Sequence, residues 1–407
     1  MSNSISISGE PKNKSSDHQC AEEALIGEEL IAVRQHLHRH PELSGQETQT
    51  TAYLAHYLLE REIPYRLGPG GLGLVSDLAG SGAAEGPIVA LRADLDALPI
   101  QEENKTSYRS QVAGVMHACG HDAHTAMVLG VLLALHHAGS GAWRCRGIFQ
   151  SSEEAGHGAL DMVNAGALEG VSSIIALHVA PNLPAGSIGI SSGPQTACCQ
   201  DFSILVKGVG GHAARPHLTI DPIATAAQLL TLIYQMIPRA TDVSQPVVVT
   251  VGQFQAGTCT NVIPETAILN GTIRSLNLDV MDITRERLQA LCSGMGLSTR
   301  SEITISFHRL LPGVVNDLNI TQACREAAQA VIGNKKLIVE APPSMGAEDF
   351  ADYLTEVPGC MIRLGIGEPG RETRALHTPT FDLVESSLLL GAKILLRSFF
   401  NLSSLYR

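Results

Sequence analysis

Apolar residues recur at helical spacing from about Glu22 to Arg61, interrupted at Pro41, and short apolar runs then alternate with longer helical ones. "PIVALRADLDALPI" carries the run of a buried strand, and "TAMVLGVLLALHHAG" is long enough for a core helix. "RGIFQSSEE" reads as strand, "GALDMVNAGAL" as helix and "SSIIALHV" as strand again. This alternation predicts a sheet with helices on its faces. Around Ser191 to Gln200 the character changes. From Asp201 the segments "FSILVKG", "DPIATAAQLLTLIYQMI", "PVVVTVGQF", "TAILNGTIRS", "MDITRERLQALCSGM" and "EITISFH" run β-α-β-β-α-β, the split arrangement of ferredoxin-like domains. After about Pro312 a helix ("NITQACREAAQAVIG"), a strand ("GCMIRLGIG") and a closing helix from about Leu383 complete the first sheet. The predicted fold is therefore α/β: an α/β/α sandwich over residues 28–198 and 310–407, interrupted by a ferredoxin-like α+β domain over 199–309. Residues 1–27 read as a disordered polar tail.

Length agrees with two domains, since a chain of 407 residues exceeds the roughly 250 to 300 that a single core supports. The chain is 44% hydrophobic and 17% charged, and no apolar run reaches the roughly 18 residues of a membrane span. Lys and Arg number 28 against 40 Asp and Glu, a formal charge of −12 with no basic stripe, which excludes a nucleic-acid partner. The polar N-terminus lacks the apolar segment of a secretory signal. Nine scattered cysteines fit free thiols in a reducing compartment, so the expected location is cytoplasmic.

In open α/β sheets ligands gather beyond the carboxyl ends of the strands, and the metal-capable side chains fall there. Asp94 and Asp96 follow the strand ending near Leu91, Glu153 and Glu154 the one ending near Gln150, and His178 closes the one through Ile175. Cys119 and His121 precede the long helix; two positions apart, they do not share a helical face and are expected in a turn that Gly120 allows. Thiolate plus imidazole suits zinc, manganese or another transition metal. Of the adjacent Glu153 and Glu154, one carboxylate can bind metal while the other acts as general base. His178, at a strand end, and His377, in a loop, bring the ligands to five, enough for two divalent cations if a ligand or water bridges them. His117 and His124 read as structural rather than functional.

These residues lie in segments that resemble a known family. "RADLDALPI", "HACGHDAHTA", "SSEEAGHGA", "ALHVAPNLPAGSIG", "KGVGGHAARPH", "TNVIPETAILNGTIRS", "MGAEDFADYL" and "LHTPTFD" occur in the order seen in the co-catalytic metallopeptidases that include aminoacylases and glutamate carboxypeptidases. The likeness is closest to the amidohydrolase branch of hippurate hydrolases and hydrolases of indoleacetyl-amino acids, and runs from about Ile31 to the C-terminus. The resemblance implies that Cys119, His121, Glu154, His178 and His377 bind metal, that Glu153 is the general base, and that Asp96 supports a ligand. It makes the inserted domain a lid and dimerisation domain. There His212 would polarise the scissile carbonyl across a dimer, with Asn261 and Arg274 near the substrate. Gly346, Glu348 and Asp349 would help shape the site. "SSEEAGHGA" departs from the family pattern, where proline and alanine more often precede the glutamate pair, and His157 is an additional potential ligand. Ala180 stands where a bulkier side chain is common.

The expected function is metal-dependent hydrolysis of the amide bond of a small N-acyl amino acid (N-acetyl, N-benzoyl or arylacetyl) by a homodimer or homotetramer. The cofactor would be two divalent ions per subunit, of Mn, Zn, Ni or Co. Two alternatives are a hydrolase using Cys119 as nucleophile and a non-enzymatic metal-binding relative.

Overall fold

A computed structural model describes residues 19, 21–22, 25–83, 86–338, 342–368, 370 and 374–406; most of the predicted N-terminal tail lies outside these. In chain order the main elements begin with α1 (Gly27–Arg39), α2 (Thr48–Leu59), β1 (Leu74–Ala79), β2 (Ile88–Asp94), α3 (His121–Ala138), β3 (Arg144–Gln150), α4 (Gly158–Asn164) and β4 (Val171–Pro184). Then come β5 (Cys198–Lys207), α5 (Pro222–Ala240), β6 (Val247–Ala256), β7 (Thr266–Ser275), α6 (Leu278–Thr299) and β8 (Glu302–Leu311). The chain closes with α7 (Leu318–Ile332), α8 (Phe350–Leu354), β9 (Gly359–Gly367) and α9 (Ser386–Leu405).

The chain packs as two units, one of Met1–Ser191, Asp317–Ala341 and Glu356–Arg407, the other of Ser192–Asn316 and Pro342–Thr355. The borders fall at 191/192 and 316/317, and the segment 342–355 packs with the second unit, whereas the sequence assigns it to the first. Backbone bonding explains the exchange: Ser344 donates its N–H to Gln195 O, and Gly346 O accepts from Ala197 N–H.

The first unit holds an eight-stranded sheet in the order 66–67, β1, β3, β2, β4, β9, 188–189, 337–338. Its centre is parallel, β2 pairing with both β3 and β4, and β4 with β9. Every residue of β2 is buried, as expected of a parallel strand covered on both faces. α3 is buried on nearly all sides, which suits its unbroken apolar composition. It lies close on α1 because Gly130 has no side chain: a Cβ there would stand 2.2 Å from Leu30 Cδ2. α9 is long and apolar enough to cross a membrane, yet more than half of it is inside the fold, with Leu388, Leu395, Phe399 and Leu402 in the core.

Three boundaries differ from the sequence reading. α3 begins at His121, four residues before the apolar run at Thr125, because Gly120 at φ 85° forms its N-cap. β4 does not close at His178 but continues to Pro184, pairing Gly367 with Pro184 beyond a register shift, so His178 lies inside a strand. β1 escapes the hydrophobic pattern because glycines crowd the segment just before it.

The second unit is an antiparallel sheet, ordered β6-β7-β5-β8, whose buried residues pack against α5 and α6. Alternate residues of β7 are buried, the period of a sheet covered on one face. Asp221 caps α5 by accepting from Ile223 and Ala224 N–H, and Asn277 caps α6 by accepting from Asp279 N–H.

Gly130→Val tests the α1–α3 contact. Leu30 is 2% exposed and has little room to retreat, so the substitution should destabilise the first unit by about 1–3 kcal/mol, read as a lowered urea midpoint. An unchanged midpoint would mean that the helices separate freely.

Candidate metal centre

The turn before α3 is set by its glycine. Gly120 has φ 85°, and a Cβ on it would stand 2.4 Å from Val179 Cγ2 on β4. The turn can therefore lie directly on the strand that carries His178. Cys119 Sγ comes to 3.6 Å from His178 Nε2, and His377 Nε2 to 3.3 Å from the same sulfur. His377 adopts φ 59°, and its N–H donates to Ala118 O, tying its loop to the Cys119 turn. A non-glycine residue at positive φ costs of order 1–3 kcal/mol and is characteristic of functional sites. Ser152, immediately before Glu153, has φ 59° as well, and its N–H is held by buried Glu47.

Each of the three rings presents Nε2 to the same space. His121 Nδ1 faces two acceptors, Asp96 O at 2.9 Å and Asp96 Oδ1 at 3.2 Å, and so carries hydrogen. His178 Nδ1 donates to Val179 O at 2.8 Å. Asp96 also accepts from Glu154 N–H through Oδ2 at 2.9 Å and from Ser44 Oγ at 2.6 Å. One carboxylate thus orients the ring of His121 and the backbone of Glu154. Glu153 Oε2 and Glu154 Oε1 stand 3.8 and 4.0 Å from His121 Nε2, and Glu154 Oε1 stands 3.3 Å from His377 Nε2.

Two triads result, Cys119–His121–His178 and Cys119–Glu154–His377, the ligand atoms within each lying within 4.8 Å of one another. Cys119 belongs to both, so the two sets together offer five ligand residues, which would serve two cations bridged by a ligand or a water. The fit is chemical as well as spatial. His121 Nε2 is buried without a hydrogen-bond partner among the described residues, and Glu154 Oε1 has only the His377 ring beside it at 3.3 Å; an unpaired buried polar atom costs about 1–3 kcal/mol. A divalent cation would satisfy both. Sulfur, nitrogen and oxygen donors together suit transition metals.

Charge is arranged to match. Burial opposes ionisation of Asp94, but His121, His124 and Arg92 outweigh it and hold this carboxyl well below its usual range. Burial likewise works against both Asp96 and His121: the bond to His121 dominates in lowering Asp96, while Asp94 and Cys119 dominate in raising His121 well above an ordinary imidazole. Burial pushes the Cys119 thiol up to about 12. Burial and the neighbouring His124 lower His178 to about 3, which leaves a neutral ring able to bind metal. The bond to Glu154 raises His377.

All six residues expected at the sheet rim (Cys119, His121, Glu153, Glu154, His178 and His377) are brought together, with Asp96 beside them. His157, which immediately precedes α4, is turned to Asp161 on that helix at 2.9 Å. In the second unit, His212 lies on the short strand paired with Val262–Ile263, and Ala213 N–H donates to Asn261 O, so these two expected residues are neighbours. Arg274 is on β7 and donates through NH1 to Met345 O at 3.0 Å. The sequence reading placed Asp94 at the strand end without giving it a role and read His124 as structural. His124 accepts from Val179 N–H at 3.0 Å and donates to Asp94 Oδ1 at 2.7 Å, bracing the strand beside His178. Its i+3 spacing from His121 suggested a surface or supporting residue; only the fold shows it fully inside.

A model of peptidase family M20/M25/M40 matches residues 90–401. The chain is 36% identical over 376 residues to N-acetyl-L-cysteine deacetylase of Bacillus subtilis, covering 92% of this chain and 88% of that one. It is 33% identical over 371 residues to the IAA-amino acid hydrolase ILR1-like 4 of Arabidopsis thaliana, covering 90% and 83% respectively. The crystal structure of the Bacillus subtilis YXEP protein, described as a dinuclear metal binding peptidase of the M20 family, superposes with a TM-score of 0.81 at 34% identity, covering 93% of this chain and 98% of that one.

Gly120→Ala should leave the fold intact but push the Cys119 turn off β4. Displacement of such a centre costs on the order of 100-fold in kcat/KM, measurable beside an unchanged circular dichroism spectrum. Wild-type turnover would show that the close contact with Val179 does not set the site.

Proposed function

The chain belongs to peptidase family M20/M25/M40 and is a metal-dependent amidohydrolase, and on that footing we propose that it cleaves the amide bond of N-acyl amino acids to a carboxylate and a free amino acid. The observation that carries this reading is the pair of triads sharing Cys119, with the Glu153 carboxylate beside them. The relatives named for N-acetyl-L-cysteine and for an IAA-amino acid each carry an amino acid in the name of their substrate, with different acyl groups. The acyl group of this chain's substrate is accordingly assigned only as a class: acetyl, benzoyl or arylacetyl.

Cys119, His121, Glu154, His178 and His377 would hold two divalent ions, and manganese, zinc, nickel and cobalt all suit the donor set. Bound there, the ions would supply Lewis acidity that brings the pKa of a water toward about 7 and polarises the acyl carbonyl. Glu153 accepts the proton of the attacking water and passes it to the amide nitrogen as the carbon–nitrogen bond breaks, so that the products are a carboxylate and an amine. His212, reaching across a dimer as the resemblance implies, would be the donor to the developing oxyanion. Its Nδ1 accepts from Ala214 N–H at 3.1 Å, which leaves Nε2 as the hydrogen-bearing nitrogen of the neutral ring. Arg274 is assigned to the free carboxylate of the amino-acid half and Asn261 to a position near the substrate; among the described residues NH1 of Arg274 is engaged by Met345 O. We also infer a cytoplasmic homodimer or homotetramer. The eight cysteines among the described residues are all free, and edge strand β6 exposes Val248 and Phe254. A nucleophilic Cys119 is disfavoured, because burial raises its thiol whereas a nucleophile needs it lowered.

The deciding experiment assays N-acetyl, N-benzoyl and arylacetyl amino acids before chelation, after it, and with Mn or Zn restored. Turnover should vanish and return. Glu153→Gln should lower kcat by about 100- to 10,000-fold with metal content unchanged. Turnover that survives complete metal removal would sink the mechanism.

The titrations make a second forecast. With the Cys119 thiol at about 12 and His121 raised, both groups hold protons at neutral pH that a cation must displace. Affinity should therefore weaken as pH falls and strengthen as it rises, by roughly tenfold or more per pH unit near neutrality. Calorimetry in buffers of different ionisation heat reads the released protons directly; binding without proton release would contradict the assignment of Cys119 as a thiolate ligand.

A further inference from the structure

Behind the ligand-bearing turn lies a buried ionic cluster that the proposed chemistry does not use. Its hub is Arg34 on α1, whose side chain is fully buried. Nε donates to Asp122 Oδ2 at 2.8 Å, NH2 to Asp382 Oδ1 at 3.3 Å and NH1 to Glu385 Oε1 at 3.2 Å. The guanidinium also lies 4.7 Å from the centre of the Tyr108 ring, whose hydroxyl donates to Asp382. His38, one turn along α1, bonds Asp122 Oδ2 at 2.9 Å and Glu102 Oε1 at 3.3 Å.

Two of these partners have a particular place in the chain. Asp122 follows His121 in the first turn of α3, while Asp382 lies in the segment that carries His377, five residues beyond it. Phe381 N–H donates to Thr378 O, Leu383 N–H to Asp382 Oδ1 and Asn104 Nδ2 to Phe381 O, so a shift of Asp382 would be felt along that segment. A buried ion pair is a weak source of stability, since desolvation offsets much of the attraction, and apolar residues of like volume often serve as well. What a guanidinium adds is direction. Its planar fork of five donors can hold carboxylates from separate segments at fixed angles, which a lysine ammonium cannot do.

We infer that Arg34 is a positioning residue that joins the His121 segment, through Asp122, to the His377 segment, through Asp382, and so fixes the spacing between ligands of the two triads. The inference rests on the reading of His121 and His377 as metal ligands. It adds a residue that touches neither metal nor substrate and governs whether the two ions are held together.

The test uses the full chain with Arg34→Lys, which keeps the charge, Asp382→Asn, which weakens one arm, and Arg144→Lys, a change outside the cluster, as control. Mn²⁺ binding is measured by titration of the apoprotein, and amide hydrogen exchange is followed over residues 117–123 and 374–383. Arg34→Lys, folded by circular dichroism, should require about 10- to 100-fold more Mn²⁺ for half-occupancy, the usual loss when an outer partner of a ligand is removed. Exchange should quicken in both segments together, and saturating Mn²⁺ should restore turnover with an unchanged KM. Asp382→Asn should give the same pattern more weakly, and the control neither effect. Wild-type Mn²⁺ affinity in Arg34→Lys, or faster exchange in only one segment, would overturn the coupling. If the wild-type chain itself binds no Mn²⁺, the ligand assignment fails, while the paired exchange response still decides whether Arg34 joins the segments.

Discussion

Gly120 stands in the left-handed region with Val179 occupying the space where its own side chain would be, and the residues on either side of it take their positions from that contact. Cys119 is delivered to the side of His178 because the turn can rest on β4. His121 becomes the first residue of α3, so its ring points back over the end of β2 to Asp96. The same turn accepts the backbone N–H of His377 at Ala118 O, which draws in a residue more than 250 positions away in the chain. A local demand of the backbone thus assembles groups from three distant parts of the sequence.

Around the turn, charge is compensated by fixed partners rather than by solvent. Both oxygens of Asp94 are engaged, one by Arg92 at 2.6 Å and one by His124 at 2.7 Å. Asp96 is held by His121, Ser44 and the Glu154 amide. Carboxylates so held stay ionised despite burial, because the attraction of neighbouring cations and donated hydrogen bonds exceeds the desolvation cost. Their orientation is thereby fixed, and the rings and carboxylates they support lose freedom before any ligand arrives.

Much of this was legible in the chain. A strand-end location for Glu153, the Cys-Gly-His spacing and the change of element order near Asp201 follow from periodicity and turn chemistry. The fine placement was less so. His178 lies within β4 because "APNLP" continues to pair with β9, a tertiary event with no local signal. His124 resembled an ordinary helix histidine because its two partners, Asp94 and Val179, are 30 and 55 residues away. Arg34 gave no sign either: one arginine in an amphipathic helix is usually solvated, and only the fold brings to it carboxylates from the first turn of α3 and from the segment before α9.

The choice of a thiol as the shared donor has its own electrostatic logic. Asp94, Asp96, Glu153 and Glu154 already crowd the rim with acidic groups. A fifth carboxylate at position 119 would ionise near neutrality and add a buried negative charge beside them even with no cation present. A thiol held at about 12 stays neutral there until a cation takes the place of its proton. The negative charge of the sulfur would then be created together with the positive charge that balances it. The raised His121 acts in the complementary sense, holding a proton that offsets the carboxylates and that a cation bound at Nε2 would displace. With Cys119 and His121 as ligands, cation and protons would be alternative occupants of one charge-balanced space.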